Sequence, residues 1–379
     1  MTLFMTRRAV LLGGALVIAG ATAWSAHAQD TPTLRFSSVI SEQDIRADAM
    51  RMFGDRIASS FNFEPYFGAT LFKQGTELVA MQRGNLEMAL VAPQDLAKQI
   101  PAWSLFTAAY LFRDADHMQK VFESDIGEEM YQLASDIGIH ILGPVYFGTR
   151  QVNLKPTKRI ETPEDMAGMK LRMPGGEAWQ FLGQALGANP TPMAYTEVYT
   201  ALQTGAIDGQ DNPLPNDKNM KFYEVTSQIV LTSHLVGYDL LSISNEAWDA
   251  MSPEQQAEVQ AAADEIIAWS TAKHLEQEDE LVEFFKQEGL EVYTPDVDAF
   301  REARTADVPR VGLRRRLARG HARSYQRAVS TTPAPREAGP GPGLASRSVD
   351  DVGAAAPDNA PELHEAPALP LPCSRALRR

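Results

Sequence analysis

Along residues 34–300, short apolar runs alternate with stretches in which apolar residues recur every three or four positions. The first pattern suits a strand buried on both faces and the second a helix with one inward stripe. Their alternation predicts an α/β protein. Leu34-Arg-Phe-Ser-Ser-Val predicts a first strand, and residues 47–60 a helix with Ala49, Met50, Phe53 and Ile57 on one face. Glu87-Met-Ala-Leu-Val-Ala, Ile139-His-Ile-Leu-Gly-Pro-Val-Tyr-Phe and Leu240-Leu-Ser-Ile-Ser predict further strands. Ser252-Pro253-Glu254-Gln255 predicts a helix start, with a capping serine, proline at the first helical position and glutamine at the third. The long helix that follows turns Val259, Ile266 and Leu275 inward. At that spacing Glu276, Glu278, Asp279 and Glu280 read as a solvated face rather than a metal site.

A weak repeat adds to this picture. Ala80-Met-Gln-Arg-Gly84-Asn-Leu86-Glu87 matches Ala201-Leu-Gln-Thr-Gly205-Ala-Ile207-Asp208. In each, a helix ends, glycine supplies a left-handed position, and an apolar–acidic pair enters the next segment. A common helix-to-strand turn met twice explains the match equally simply. As a true repeat, it predicts two similar α/β lobes.

The two ends are different material. Arg7 and Arg8 precede an apolar stretch over residues 9–23, and Ala26-His27-Ala28 offers a cleavage point, so residues 1–28 are expected to be a signal peptide. The apolar run is too short to span about 30 Å of hydrocarbon, so no stable membrane anchor is expected after cleavage. The paired arginines suit both the general and the twin-arginine export routes. No lysine follows Lys286, and residues 304–379 are rich in arginine, proline and alanine without sustained periodicity. Such a tail cannot bury enough apolar surface to offset the entropy of ordering it, and disorder is expected beyond about residue 330. The abrupt loss of lysine suggests a shifted reading frame, with a natural extension as the alternative.

Charge and cysteine content narrow the function. The chain carries −14 overall. The leader contributes +2 and residues 304–379 contribute +6, which leaves −22 on residues 29–303. An acidic body argues against nucleic acid as a partner, and an anionic ligand would need a focused cluster of cations. Cys373 is the single cysteine, so neither an intramolecular disulfide nor a thiolate-rich metal site is possible. Gly-x-Ser-x-Gly, a Walker loop, His-Glu-x-x-His and Cys-x-x-Cys do not occur. We expect no catalytic residues, no metal and no cofactor. His234, in Leu-Thr-Ser-His-Leu, reads as a structural histidine.

The informative stretch runs from Tyr146-Phe-Gly-Thr-Arg150-Gln through Gly168-Met-Lys-Leu-Arg172-Met-Pro174. Asn189-Pro-Thr-Pro-Met-Ala-Tyr195-Thr-Glu-Val-Tyr199 and Ala206-Ile-Asp-Gly209-Gln-Asp-Asn212-Pro213 follow. This ordered series closely resembles the solute-binding proteins of TRAP (tripartite ATP-independent periplasmic) transporters, including the C4-dicarboxylate and sialate branches. The resemblance runs from about Leu34 to Phe300 and stops near Arg301.

That resemblance implies a periplasmic receptor with two α/β lobes, which captures a small organic carboxylate in the cleft between them. The ligand would then pass to the transporter's membrane subunits. Lobe one is expected over residues 29–147 plus 237–278, and lobe two over 148–236 plus 279–303. It also implies Arg172 as the bidentate partner of the ligand carboxylate, Arg150 as a second donor, Asn212 as an amide at the same end and Tyr195 as an aromatic wall. Arginine suits that role because its planar fork matches both carboxylate oxygens. The bland alternatives are a surface ion pair for Arg172 and a turn role for Asn212. A receptor feeding a sensor kinase, or an exported enzyme on the same scaffold, are the alternative functions. Where the sialate branch carries an acidic residue, this chain has Ala92-Pro93, which disfavours sialate.

Limited proteolysis checks the tail: fragments beyond about residue 330 should be lost first, leaving the body intact.

Overall fold

A computed structural model describes residues 31–306; the expected leader and the tail beyond residue 306 lie outside the described residues. Nine strands form one sheet: β1 Thr33–Ser37, β2 Asn62–Tyr66, β3 Met88–Val91, β4 Ile139–Leu154, β5 Lys170–Met173, β6 Asn189–Pro192, β7 Gly209–Pro213, β8 Gln228–Ser244 and β9 Glu291–Tyr293. Their order is β2-β1-β3-β8-β4-β7-β5-β6, with β9 beside β8.

The sheet is built on one antiparallel pair. β4 and β8 run together from Ile139 opposite Ser244 to Leu154 opposite Gln228. β3 joins only the Leu240–Ile243 end of β8 and brings β1 and β2 with it in parallel. β7 joins only the Arg150–Leu154 end of β4 and brings β5 and β6. Both halves therefore share two strands, whose register shifts between Tyr146 and Gly148. The sequence pattern predicts only one end of each long strand, because continuity through the polar middle leaves no apolar run to read.

Elsewhere the pattern is borne out. In β3, Met88 and Leu90 pack into one cluster and Ala89 and Val91 into another, so both faces are covered and the run reads as continuously apolar. The helix Ile45–Ile57 buries Ala49, Met50, Phe53 and Ile57 against Phe36 and Ile266. Gly84 and Gly205 both have left-handed φ (69° and 74°), at matching helix-to-strand turns. The helix Pro253–Gln287 begins with the capping box on Ser252 and Gln255.

Two readings of that helix need correction. Leu275 is 47 % exposed, not inward. The acidic stretch is not uniformly solvated, since Glu278 accepts hydrogen bonds from the Tyr146 hydroxyl and the Thr149 amide. A 35-residue helix drifts off any single inward stripe as it crosses both halves of the sheet, so its facing changes along its length.

Two glycines make the crossing of β4 and β8 possible. Gly148 and Gly237 are register partners, and Gly148 has φ +114°. A Cβ on Gly237 would lie 2.5 Å from the Gly148 carbonyl oxygen and 2.9 Å from the Phe147 ring. Gly237→Ala is expected to destabilise the protein by about 1–3 kcal/mol through this overpacking. Chemical denaturation checks it, and an unchanged midpoint and slope would show that the crossing can relax.

Candidate functional site

Strand geometry places the arginines. In β5, Leu171 and Met173 pack into the core beside Trp179 and Leu182. Alternation then sends Arg172 to the opposite face. It stands near the C-terminal end of a parallel strand, where open α/β sheets form their binding crevices. Arg172 pairs with Gln210 of β7, and Asn212 follows two residues along the same strand. Arg150 lies on β4 opposite Pro213.

These elements enclose a cavity of about 370 Å³ at the junction of the two halves. Arg150, Arg172, Tyr195 and Asn212, the residues singled out in the sequence, all line it. The other half of the sheet contributes Arg46, Gln74, Glu77, Asp95, Lys98 and Asp239.

Four cations line the cavity, and three have carboxylate partners. Arg46 pairs with Asp44 and Asp239, both at 2.8 Å, and its guanidinium stacks 4.2 Å from the centre of the Phe147 ring. Lys98 pairs with Asp95 at 2.6 Å. Arg150 pairs with Asp211 at 2.7 Å and lies 4.8 Å from the centre of the Trp179 ring. Arg172 is different. It is 1 % exposed, and among the described residues no carboxylate oxygen lies within 4.0 Å of it. Its Nε donates to the Met193 carbonyl at 3.0 Å and its Nη2 to the neutral amide oxygen of Gln74 at 3.3 Å. Burial, with Arg150 nearby, pulls its pKa down to about 10, against the opposing pull of Asp211. The surface ion pair weighed for Arg172 is therefore not what the structure contains.

Arg150 has less freedom than expected from sequence. Its Nε and Nη2 both go to Asp211, through the carboxylate and the main-chain carbonyl. Asp211 also faces His234 Nε2 at 3.2 Å, while His234 Nδ1 meets the Thr232 hydroxyl at 2.8 Å. Burial pushes the Asp211 carboxyl up, but Arg150 and His234 outweigh it and hold the carboxyl below the usual range. Asn212 spends one N–H on the Gln210 side chain. Tyr195 is fixed at both ends: its amide donates to Gln74 at 2.8 Å, and its hydroxyl accepts from Asn216 at 3.0 Å.

Sequence reasoning missed Arg46, Gln74, Glu77, Asn216 and Asp239. Only Asn216 left a signal, standing just past the Asn212-Pro213 motif in the helix that follows β7. The others come from the first turns of two helices (Arg46, Glu77), a loop (Gln74) and the interior of β8 (Asp239), which only the fold brings together. Glu77 is the odd member among them, a buried carboxyl whose pKa desolvation raises to about 7.

The bacterial extracellular solute-binding protein, family 7, model matches residues 36–312. The chain belongs to that family. Its solved relatives are TRAP periplasmic solute-binding proteins, so the resemblance read from sequence holds. The match passes the expected stop near Arg301, and the helix Val297–Ala306 buries Phe300 in the core. The sialic acid-binding periplasmic protein of Vibrio cholerae is 33 % identical over 276 residues, covering 72 % of this chain and 85 % of its own. A solute-binding protein of Roseobacter denitrificans, solved with bound 3-deoxy-D-manno-oct-2-ulosonic acid, is 43 % identical with a TM-score of 0.76. The match covers 79 % of this chain and 99 % of that one. Another from the same species, solved with bound L-galactonate, is 28 % identical with a TM-score of 0.69, over 73 % and 93 % of the two chains. Members of this family are periplasmic solute receptors. Among the described residues, no helix is long and apolar enough to cross a membrane.

The Asp211 ion pair sets a pH dependence. A carboxyl whose folded pKa is depressed adds stability above its unfolded value near 3.9 and loses it as pH falls through and below that range. Asp211→Asn should cost about 3–5 kcal/mol at pH 7 by stranding buried Arg150. The penalty should shrink on acidification below about pH 4. Denaturation of both proteins from pH 7 to pH 3 checks this, and a constant difference would refute it.

Proposed function

We propose that this receptor captures a hydroxylated acid bearing one carboxylate, a sugar acid, and seats that carboxylate on Arg172. The observation that carries the reading is the buried guanidinium with no carboxylate partner among the described residues, beside three cavity cations that each have one. Burying a charge requires compensation by a partner and hydrogen bonds. A ligand carboxylate supplies both, in the bidentate geometry that a guanidinium favours. Tyr195 and Asn212 would wall and position that end of the ligand, while Arg150, held by Asp211, would contribute mainly its field.

A C4-dicarboxylate fits less well. Its second carboxylate would need a further uncompensated cation, whereas Arg46, Lys98 and Arg150 are already neutralised. The sugar acid bound by the relative at 43 % identity supports the same choice.

In this reading residues 29–147 plus 237–278 move as one lobe and 148–236 plus 279–303 as the other. The divide at Gly148 and Gly237 coincides with the register shift in β4 and β8, which favours motion there. The leader 1–28 would direct export, and the liganded form would be read by membrane subunits. A sensor partner remains the alternative, which co-purification with membrane subunits would exclude.

A thermal-shift screen tests the ligand class. Sugar acids should raise the melting temperature, since binding at 100 times Kd stabilises by about 2.7 kcal/mol. Uncharged sugars and C4-dicarboxylates should do so little. Arg172→Ala should weaken binding by roughly two to three and a half orders of magnitude, the equivalent of about 3–5 kcal/mol. Arg172→Lys should recover part of it, keeping the charge without the fork. Equal calorimetric affinities in the three folded proteins would remove Arg172 from the site.

A further inference from the structure

A hydrogen bond that crosses a cavity exists only while the walls are close together, so it marks what holds the cavity shut. Among the described residues lining this cavity, two side-chain hydrogen bonds join one half of the sheet to the other, and both end on one atom. Gln74 Oε1 accepts from Arg172 Nη2 at 3.3 Å and from the Tyr195 main-chain amide at 2.8 Å. Gln74 belongs to the loop between β2 and the helix Glu77–Gln82, whereas Arg172 lies on β5 and Tyr195 just beyond β6. The walls also meet beside this contact. Lys98 Nζ lies 3.4 Å from where a Cβ on Gly75 would stand, and Lys98 Cε 3.2 Å from a Cβ on Gly176 across the cavity.

The chemistry of the contact fixes its direction. Both groups facing Gln74 are N–H donors, which an amide oxygen with two lone pairs takes together. Turned over, the amide would present its own NH2 to them and bond to neither. Opening the cavity would break both bonds at once. A glutamate of the same length could accept the same two bonds. Its charge, however, would complete an ion pair with Arg172, and an incoming ligand carboxylate would meet a like charge at an occupied seat.

We propose that Gln74 is the clasp of this receptor, a positioning residue that joins the two walls through Arg172 and Tyr195 and, being neutral, reserves Arg172 for the ligand carboxylate. The proposal rests on the carboxylate seat argued above and adds to it the contact that couples capture to closure. Both donors that Gln74 holds stand at the carboxylate end of the ligand. A ligand that fixes them in place therefore also presents them to the clasp. Encounter precedes closure and does not involve Gln74, whereas release requires the clasp to open. Its contribution falls on the dissociation rate, where most affinity differences between related complexes lie.

The test uses the full chain, and its first arm needs no ligand. Small-angle scattering should find Gln74→Glu more compact than Gln74→Met, because one strengthens the bond across the cavity and the other removes it at similar length. In an Arg172→Ala background that difference should vanish. The second arm measures binding of 3-deoxy-D-manno-oct-2-ulosonate and L-galactonate by stopped flow. Gln74→Met should release the tighter probe about tenfold faster than wild type at an unchanged association rate, the effect of roughly one net hydrogen bond. Gln74→Glu should bind it about a hundredfold more weakly, since a carboxylate now opposes the ligand's own. A loop residue of purely structural role would move the melting temperature but neither the ligand-free compaction nor the release rate. Should the methionine variant fail to fold, Gln74→Ala removes the same oxygen. Equal compaction of the glutamate and methionine variants, or release from Gln74→Met at the wild-type rate, overturns the clasp. Wild-type affinity in Gln74→Glu overturns the reservation of Arg172. If wild type binds neither probe, the sugar-acid reading fails and the scattering arm still decides the clasp. If Arg172→Ala leaves probe affinity unchanged while the compaction difference appears as expected, the carboxylate seat is wrong and the clasp stands.

Discussion

Keeping a guanidinium out of water without a carboxylate beside it is costly, and in this receptor the rest of the site is arranged around that cost. Arg172 is held by two neutral acceptors, the Met193 carbonyl and the Gln74 amide oxygen, which orient its fork without cancelling its charge. Its pKa, drawn down to about 10, still leaves it protonated at neutral pH. The net charge of −22 on residues 29–303 makes such a cation conspicuous, because an acidic protein has carboxylates to spare. None is placed at Arg172, while Asp44, Asp239, Asp95 and Asp211 are placed at its neighbours, so Arg172 is the cavity cation whose counter-charge the described residues do not supply.

The cavity exists because two halves of one sheet share two strands. A long antiparallel pair would ordinarily continue as an evenly twisted ribbon with unbroken register. Here the register slips between Tyr146 and Gly148, with Gly237 opposite, and the backbones approach too closely to admit a side chain. Glu278 ties the long helix to this same place by accepting from Tyr146 and Thr149. The lining residues therefore come from strands, loops and helix starts on either side of a narrow crossing. Motion of one half against the other would change their separation without unmaking either core.

Much of this was legible in the chain. Continuous apolar runs predict β3 and the outer ends of β4 and β8, since burial on both faces leaves a signature that needs no tertiary context. Gly84 and Gly205 predict their turns because few other residues tolerate the left-handed conformation. The inner ends of β4 and β8 carry Arg150, Gln151, Asn153, Thr232 and His234, polar residues whose partners, such as Asp211 for Arg150 and Ser233 for Gln151, come within reach only once the strands are adjacent. A local pattern cannot foresee that. The inward Leu275 and the solvated acidic face failed for a related reason: one stripe was extended along a helix that changes neighbours. In the site, ordered motifs on contiguous stretches supplied Arg150, Arg172, Tyr195 and Asn212. Residues from the other half, Arg46, Gln74 and Glu77, carry no such ordering.

Arg150 and Arg172 show why identity alone does not assign a role. Both are arginines on adjacent parts of one sheet half, both are buried, and both lie over an aromatic ring, Trp179 and Tyr195 respectively. Sequence reasoning gives them similar parts. Their neighbours separate them. Arg150 faces Asp211, whose carboxylate satisfies the guanidinium permanently and is itself steadied by His234, so removing either partner strands a buried charge. Arg172 faces Gln74, which matches the shape of a carboxylate's acceptor but lacks its charge. The amide can therefore hold the fork in place and still leave most of its electrostatic attraction unspent. In the proposed role, the protein would supply the orientation of Arg172 and the ligand its counter-ion.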